Sequence, residues 1–491
     1  MSIRFGTGGW REIIGDGFTR KNVELLTAAL AQAAQEEKTG QRGVVVGYDR
    51  RFLSREAAQW AAQVLAGAGV PCLFIDQAAP TPLMMFSVDY YGLAYGMAVT
   101  ASHNPAIYNG IKVFTRGGRD ASAEVTADLE ERIDALEGRD VPTVPFEEGV
   151  RGGLIRVISP MNAYIDAIIR SVNMDAIRSR GLHVALDPMY GVSKTAMQTI
   201  LVTARCDVDV IHERRDALFG GRLPSPNVHT LNSLKAYVEE HHCDIGIATD
   251  GDADRLGVID DRGEFLHPNK ILALLYYYLL KYKGWRGDAV RNIATTHLLD
   301  AIAADFGERC HEVPVGFKHI SAKMAETGAV IGGESSGGLT VRGHINGKDG
   351  IYAGSLLVEM IAVTGKKLSE LWREIQDRYG RYEMAERDYR FSDEEKARIQ
   401  DLLFTERALP EFSAEIERAD YTDGCKLRFA GGGWLICRFS GTEPLLRVFC
   451  ETESEARSLS SPRPRYFWGF LPTRICDMLE KKPGGGGCEG K

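Results

Sequence analysis

Short apolar runs alternate with longer amphipathic stretches along most of this chain. RGVVVGYD at 42–49 is apolar on both faces of an extended chain and predicts a buried strand. An amphipathic stretch from Ser54 to about Ala68 predicts a helix, and PCLFID then predicts a second strand. The alternation returns at LHVALD (182–187), CDVDVI (206–211), CDIGIATD (243–250) and GAVIGG (328–333). Strands of this kind, separated by helices, predict mostly parallel sheets in α/β layers.

Three of these runs end in polar, loop-forming sequence: YGMAVT into ASHNP, CDIGIAT into DGDADR, and GAVIGG into ESSGG. Ligands gather at the carboxyl ends of strands in open parallel sheets. Three α/β domains, each offering one loop to a shared cleft, are therefore expected. The intervals between the loops are unequal, so the pattern is not a simple tandem repeat.

Polar stretches at 136–153, 260–268 and 378–388 predict boundaries, giving domains at 1–150, 151–262, 263–380 and 381–456. The last contains a helical segment at 393–404 and two strand-like runs around a glycine turn, KLRFAGGGWLICRF, and reads as a smaller α+β domain. From 457 to 491 the chain carries Pro462, Pro464, Pro472 and a four-glycine run where a closing amphipathic helix belongs. Proline and glycine oppose a long helix there, so an atypical, poorly ordered tail is expected.

Composition narrows the class. At 491 residues, 44% apolar and 26% charged, the chain can bury several cores. Its net charge of −8 argues against a nucleic-acid surface. Positive charge for an anionic ligand must then be concentrated locally, within a cleft. The nine cysteines show no CxxC pair and no zinc spacing, as expected of reduced thiols. The N-terminal sequence has no signal pattern, and no window reaches the ~18 apolar residues of a membrane span, so a cytoplasmic protein with no membrane partner is expected.

DGDADR carries the strongest metal signal. Asp250, Asp252 and Asp254 alternate, so an extended loop can turn all three carboxylates to one side, and Gly251 and Ala253 permit a tight path. Such a set suits a hard cation such as Mg²⁺. An acidic surface turn has the same composition, but this loop follows an apolar strand; the spacing of a calcium-binding EF-hand is absent.

The other candidates are weaker one by one. Ser102 in TASHNP is a hydroxyl at a strand end, with His103 beside it; read alone, the loop serves equally well as a turn. Lys112 in NGIKVF, read alone, is a solvated lysine on a sheet edge. In GGESSGG, Glu334 and Ser336 suit a polyol, or simply a flexible polar loop. RFSGTEPLLRV brings together Arg438, Ser440, Gly441, Thr442 and Arg447, the donors a dianionic phosphate needs. No Walker A or GxGxxG loop in a strand–helix setting competes for that role.

Taken in order, FGTGGWR, TASHNP with NGIKVF, DGDADR, PVGFKH, GGESSGG and FSGTEPLLR resemble the α-D-phosphohexomutases, over about residues 3 to 455. The resemblance implies three similar α/β domains with mixed, mostly parallel sheets plus a smaller α+β C-terminal domain around a central cleft. It implies Ser102 as a phosphoryl carrier, with Asp250, Asp252 and Asp254 holding Mg²⁺ beside it. Arg11 and Arg255 would face the phosphoserine, and His103 and Lys112 would move protons. Gly316, Lys318 and His319 would form a specificity loop, with Glu334 and Ser336 on the sugar hydroxyls. Arg438, Ser440, Gly441, Thr442 and Arg447 would grip the phosphate not being transferred. The implied partners are a hexose phosphate and a hexose 1,6-bisphosphate intermediate, in a monomer or homodimer.

Position 338 is glycine, where the phosphoglucosamine and bifunctional branches resemble E-x-S-G-H. DGDADR rather than DGDGDR leans away from the glucosamine branch, and GGESSGG followed by RGHINGKDG is similar to glucose-type members. Glucose phosphate is the implied substrate, mannose phosphate is possible, and glucosamine phosphate is the alternative. A phosphoserine-dependent phosphatase would not need the SGTEP clamp. A silent relative would not need the serine, the aspartates and both arginine-bearing loops.

Overall fold

A computed structural model describes residues 3–6, 8–37, 42–409, 412, 414–439 and 445–454. The chain divides into two compact units, 1–295 with 302–372, and a second built from 296–301 and the chain from Arg373 onward. The expected tail at 457–491 lies outside the described residues, as do Ser440, Gly441 and Thr442.

Three sheets build the first unit. The first runs Trp10–Ile13, Tyr108–Thr115, Tyr95–Val99, Val44–Tyr48, Cys72–Ile75 and Ile155–Ile158, with Arg119–Asp120 paired at one side. The second runs Phe265–Leu266, Leu256–Ile259, Ile245–Thr249, His183–Asp187 and Asp207–Val210. The third runs Cys310–Val313, Ala289–Asn292, Ile331–Gly333 and Leu339–Val341. In each, parallel strands give way to antiparallel ones at one place: after Tyr95–Val99, after Ile245–Thr249 and after Ile331–Gly333. TASHNP, DGDADR and ESSGG occupy those three turns. The loops are thus topologically equivalent although their spacing in sequence is uneven.

Two boundaries shift. Ile155–Ile158 pairs in parallel with Cys72–Ile75, so the first layer extends past residue 150. Ile155 and Ile158 are buried, and the polar stretch before them is a crossover holding the short helix Phe146–Arg151 rather than an interdomain linker. Phe265–Leu266 likewise pairs with Leu256–Ile259, carrying the second layer past 262. Lys112 is also corrected. Its strand lies between Trp10–Ile13 and Tyr95–Val99, and the side chain is buried, not solvated at an edge.

Helices pack against these sheets for ordinary reasons. Arg20–Glu36 starts at Thr19, whose hydroxyl accepts from the Asn22 amide, and buries Val23, Leu26, Leu30 and Ala33 along one stripe. Gly350–Thr364 is buried nearly all round because it packs on the helices Met174–Arg178 and Lys194–Thr203 of the second layer. Asp349 caps it, accepting from the amides of Ile351 and Tyr352 at 2.9 Å each.

His267 caps Pro268–Lys281 through its ring, Nδ1 accepting from the Asn269 amide at 3.2 Å. Burial, with Lys270 nearby, lowers the ring from its ordinary 6.5 to about 4. The unfolded chain therefore binds the extra proton first, so stability is lost as pH falls from about 6.5 towards 4. We expect His267→Asn, which keeps an N-cap, to flatten a destabilisation of about 1–3 kcal/mol across that window in urea titrations.

The second unit is an antiparallel sheet in the order Arg381–Arg390, Leu445–Ser454, Trp434–Phe439, Cys425–Phe429 and Ile416–Asp420. The helix Asp393–Gln400, opened by a Ser392–Glu395 capping box, continues into the turn Asp401–Thr405. Ile399 and Leu403 pack with Leu427, Leu435 and Leu446 in its core. The α+β reading matches this unit. Among the described residues, no helix is long and apolar enough to cross a membrane.

Candidate active site

The loop after Tyr95–Val99 turns sharply at Ser102, whose φ of 52° is left-handed. The Ser102 amide donates to Thr100 Oγ1 at 2.9 Å, and its hydroxyl donates to Asp250 Oδ2 at 2.8 Å. His103 Nδ1 is 3.4 Å from the same hydroxyl. Gly251 permits this approach, since a Cβ there would lie 2.8 Å from the Ser102 carbonyl oxygen.

Asp250, Asp252 and Asp254 are buried and offer one oxygen each within 4.8 Å of the others. Asp252 Oδ2 accepts from Thr81 Oγ1 and Lys112 Nζ, both at 2.6 Å. Asp254 Oδ2 accepts from Lys112 Nζ at 2.7 Å and pairs with Lys348 Nζ at 2.9 Å. Asp252 Oδ1 and Asp254 Oδ1 are buried without a hydrogen-bond partner. Such orphan oxygens cost about 1–3 kcal/mol each, and a hard cation would satisfy both. The donor set fits Mg²⁺.

Charge separates the three carboxyls. Burial, then Asp252 and Asp254, push Asp250 well above the usual carboxylate range. Burial opposes ionisation of Asp254, but Lys112, Lys348 and Arg255 overcome it and hold Asp254 well below that range. Asp252 is lowered too, because Lys112 and Thr81 outweigh burial and Asp254. Burial works against the Lys112 cation, yet Asp252 and Asp254 raise its affinity for the proton. His103 is kept neutral by burial, then by Arg255 and Arg11.

The arginines flank this cluster. Arg11 Nη1 donates to Asn104 Oδ1 at 3.2 Å and Nη2 to the Gly8 carbonyl at 3.3 Å. The Arg255 amide donates to Asp250 Oδ1 at 3.0 Å, while its Nε is 4.0 Å from Asp254 Oδ1. In the third layer, Glu334 Oε1 accepts from Asn292 Nδ2 at 3.1 Å and from the Gly316 amide at 3.2 Å. This joins the GGESSGG loop to the PVGFKH loop. Ser336 is exposed, and Lys318 and His319 are half-buried at the start of helix Phe317–Thr327.

In the second unit, Arg438 and Arg447 face each other directly across adjacent antiparallel strands. Like charges so placed repel unless something negative answers them. Asp423 accepts from Arg438 Nε at 2.8 Å, and Asp388 is 3.8 Å from Arg447 Nε.

Sequence reasoning missed Lys348 and Thr81 as members of the cluster. Lys348 had a legible cue: it precedes Asp349, the cap of a long apolar helix. Asp349 Oδ2 also accepts from Tyr164 Oη at 2.8 Å and lies 2.6 Å from His344 Nε2, which fixes the loop carrying Lys348. Nearby, Asn346 Nδ2 donates to the Gly117 carbonyl of the first layer at 2.7 Å. Thr81, at the start of a helix, carries no local signal.

Three α/β layers with strand-end loops, a buried serine against an acidic triad and a separate α+β unit define a multidomain phosphoryl-transfer enzyme. Family models agree domain by domain: phosphoglucomutase/phosphomannomutase alpha/beta/alpha domain I over 2–140, domain II over 162–263, domain III over 267–379, and the C-terminal domain over 368–459. The chain belongs to the phosphoglucomutase/phosphomannomutase family, the α-D-phosphohexomutases, and is a sugar-phosphate mutase. It is 30% identical to a Thermococcus kodakarensis protein named phosphoglucomutase/phosphomannomutase, covering 93% of this chain and 96% of that one. It is 31% identical to a Pyrococcus horikoshii protein named as a phosphoglucosamine mutase, covering 93% and 95%. A Thermus thermophilus crystal structure carrying the phosphomannomutase name matches with a TM-score of 0.79 and 30% identity, covering 92% and 96%.

Proposed function

We propose that the chain interconverts hexose 1-phosphate and hexose 6-phosphate through a phosphoserine at Ser102, with glucose phosphate its main substrate. The observation that carries this reading is the 2.8 Å contact of Ser102 Oγ with Asp250, made across two layers of the fold. A bound Mg²⁺, held by Asp250, Asp252, Asp254 and the Ser102 phosphate, would supply positive charge for the transferring phosphoryl group.

The protein's own groups account for the rest. Arg11 and Arg255 neutralise the phosphoryl oxygens, and phosphoryl transfer depends mainly on such positioning and neutralisation. His103, kept neutral by burial, is free to accept a proton from the attacking sugar hydroxyl. Lys112 fixes Asp252 and Asp254. Glu334, Ser336 and the Gly316, Lys318, His319 loop orient the hydroxyls. Arg438 and Arg447, with Ser440, Gly441 and Thr442, bind the phosphate that stays on the sugar. The hexose 1,6-bisphosphate then turns over and returns its other phosphate to Ser102.

The glucose assignment rests on the motif resemblance at position 338, where glycine stands in place of the histidine of the glucosamine-type and bifunctional branches. A Cβ on Gly338 would lie 2.2 Å from Lys348 Cδ, so glycine there makes room for the lysine. A larger residue displaces Lys348 from Asp254. Because the obstructed atoms belong to a flexible side chain, Gly338→Ala should fold normally. We expect kcat to fall roughly tenfold while Tm moves by about 2 °C or less.

The test is direct. The protein, with Mg²⁺ and trace glucose 1,6-bisphosphate, is offered the 1-phosphates of glucose, mannose, glucosamine and N-acetylglucosamine. Conversion of glucose 1-phosphate with the highest kcat/KM supports the proposal. A glucosamine preference would match the naming of many relatives and overturn the sugar assignment. Release of inorganic phosphate without isomerisation would overturn the mechanism.

A further inference from the structure

Arg51 lies directly beneath the Ser102 loop and has no role in the reading above. Its side chain is fully buried. Nη2 donates to the carbonyls of Ser102 at 2.5 Å and Asn104 at 2.7 Å. Nη1 donates to the carbonyls of Pro105 at 2.9 Å and Tyr108 at 3.1 Å. One guanidinium thus gathers three backbone oxygens of the Ser102 loop and a fourth from Tyr108, the first residue of the strand that follows.

The guanidinium is itself held by a carboxylate and an aromatic ring. Asp49 Oδ2 is 3.3 Å from its Nε, and Asp49 Oδ1 accepts from the Arg51 amide at 2.9 Å and from Ser54 Oγ at 2.7 Å. Asp49 Oδ2 also accepts from Thr100 Oγ1 at 2.6 Å, the same hydroxyl that receives the Ser102 amide. The Phe219 ring of the second layer stacks 4.8 Å from the guanidinium carbon.

A left-handed backbone at a non-glycine residue costs about 1–2 kcal/mol and relaxes unless its surroundings hold it. Ser102 has that backbone, and its own carbonyl takes the shortest of the four bonds. Relaxing Ser102 to an ordinary φ would rotate this carbonyl off Arg51 and carry the hydroxyl away from Asp250.

We propose that Arg51 is a positioning residue. It holds the loop's carbonyls inward and so keeps Ser102 Oγ facing the aspartates, without touching substrate or the reacting atoms. Lysine cannot replace it, having one nitrogen where four carbonyls and a carboxylate converge on a planar fork. The inference rests on Ser102 being the phosphoryl carrier.

The test uses the full chain with Arg51→Lys and Arg51→Ala, each compared with the wild type by circular dichroism and thermal melting. For Arg51→Lys we expect kcat to fall roughly 100-fold while KM stays within about threefold. Amide exchange should quicken over 101–109 but not in the strands Val44–Tyr48 and Tyr95–Val99. Guanidinium ion at low millimolar concentration should partly restore Arg51→Ala. If Arg51→Ala does not fold, Arg51→Lys decides.

Unchanged kcat in Arg51→Lys would overturn the proposal. So would exchange quickened evenly through the first layer, because that marks a purely structural residue. A wild type that isomerises no sugar phosphate would refute the functional reading instead, and the exchange pattern would still decide whether Arg51 holds the loop.

Discussion

Ser102→Ala is expected to leave a folded protein that isomerises no sugar phosphate, with kcat lower by roughly 10⁴-fold or more. Deleting the hydroxyl removes one hydrogen bond to Asp250, worth about 1 kcal/mol, so stability should hardly change. On the proposed mechanism the phosphoryl carrier, by contrast, is gone. Incubated with glucose 1,6-bisphosphate, the wild type should gain the mass of one phosphoryl group on the peptide containing Ser102. The variant should gain none, and a label elsewhere on the variant would show that another residue carries the group.

Lys112→Met should have the largest effect on stability. The lysine is buried and bridges Asp252 at 2.6 Å and Asp254 at 2.7 Å, so its loss strands two carboxylates without their common cation. Breaking a buried ion pair from one side costs about 3–5 kcal/mol. Mg²⁺ would compensate the same carboxylates and bind the folded state more tightly than the unfolded one. The variant should therefore melt well below the wild type in chelator and regain much of the difference in Mg²⁺. Equal melting shifts for both proteins on adding Mg²⁺ would refute the metal assignment to this triad.

Acid sensitivity follows from the same contacts. Asp254 is held low by Lys112, Lys348 and Arg255, so it contributes stability at neutral pH. That contribution is lost as pH falls through its depressed value. Without Lys112 the loss should begin at higher pH.

The layered fold was legible because its signal is local. Val44–Tyr48 and Ile245–Thr249 are buried at every position, and an unbroken apolar run bounded by polar sequence announces such strands directly. Boundaries were less legible. Ile155 and Ile158 bracket two exposed residues, and only pairing with Cys72–Ile75, far away in sequence, makes them part of the first sheet.

The site divides in the same way. Asp250, Asp252 and Asp254 are neighbours in sequence, and one loop declares them. Lys112 misled because its surroundings in sequence say strand, while its burial comes from strands on both sides and carboxylates 140 and 142 residues away. Arg51 and Lys348 were missed for a related reason. The first acts on backbone carbonyls and the second on a distant aspartate, so the partners that define their roles are not readable from their own sequence neighbourhoods.

Asp254 draws its two lysines from opposite directions along the chain, Lys112 long before it and Lys348 long after. A chain emerging from the ribosome makes Ser102 first, the acidic loop later and Lys348 later still. Until then Lys112 answers Asp252 and Asp254 without the second lysine. The pair of contacts that Asp254 makes with Lys112 and Lys348 can form only once the chain has been made through residue 348.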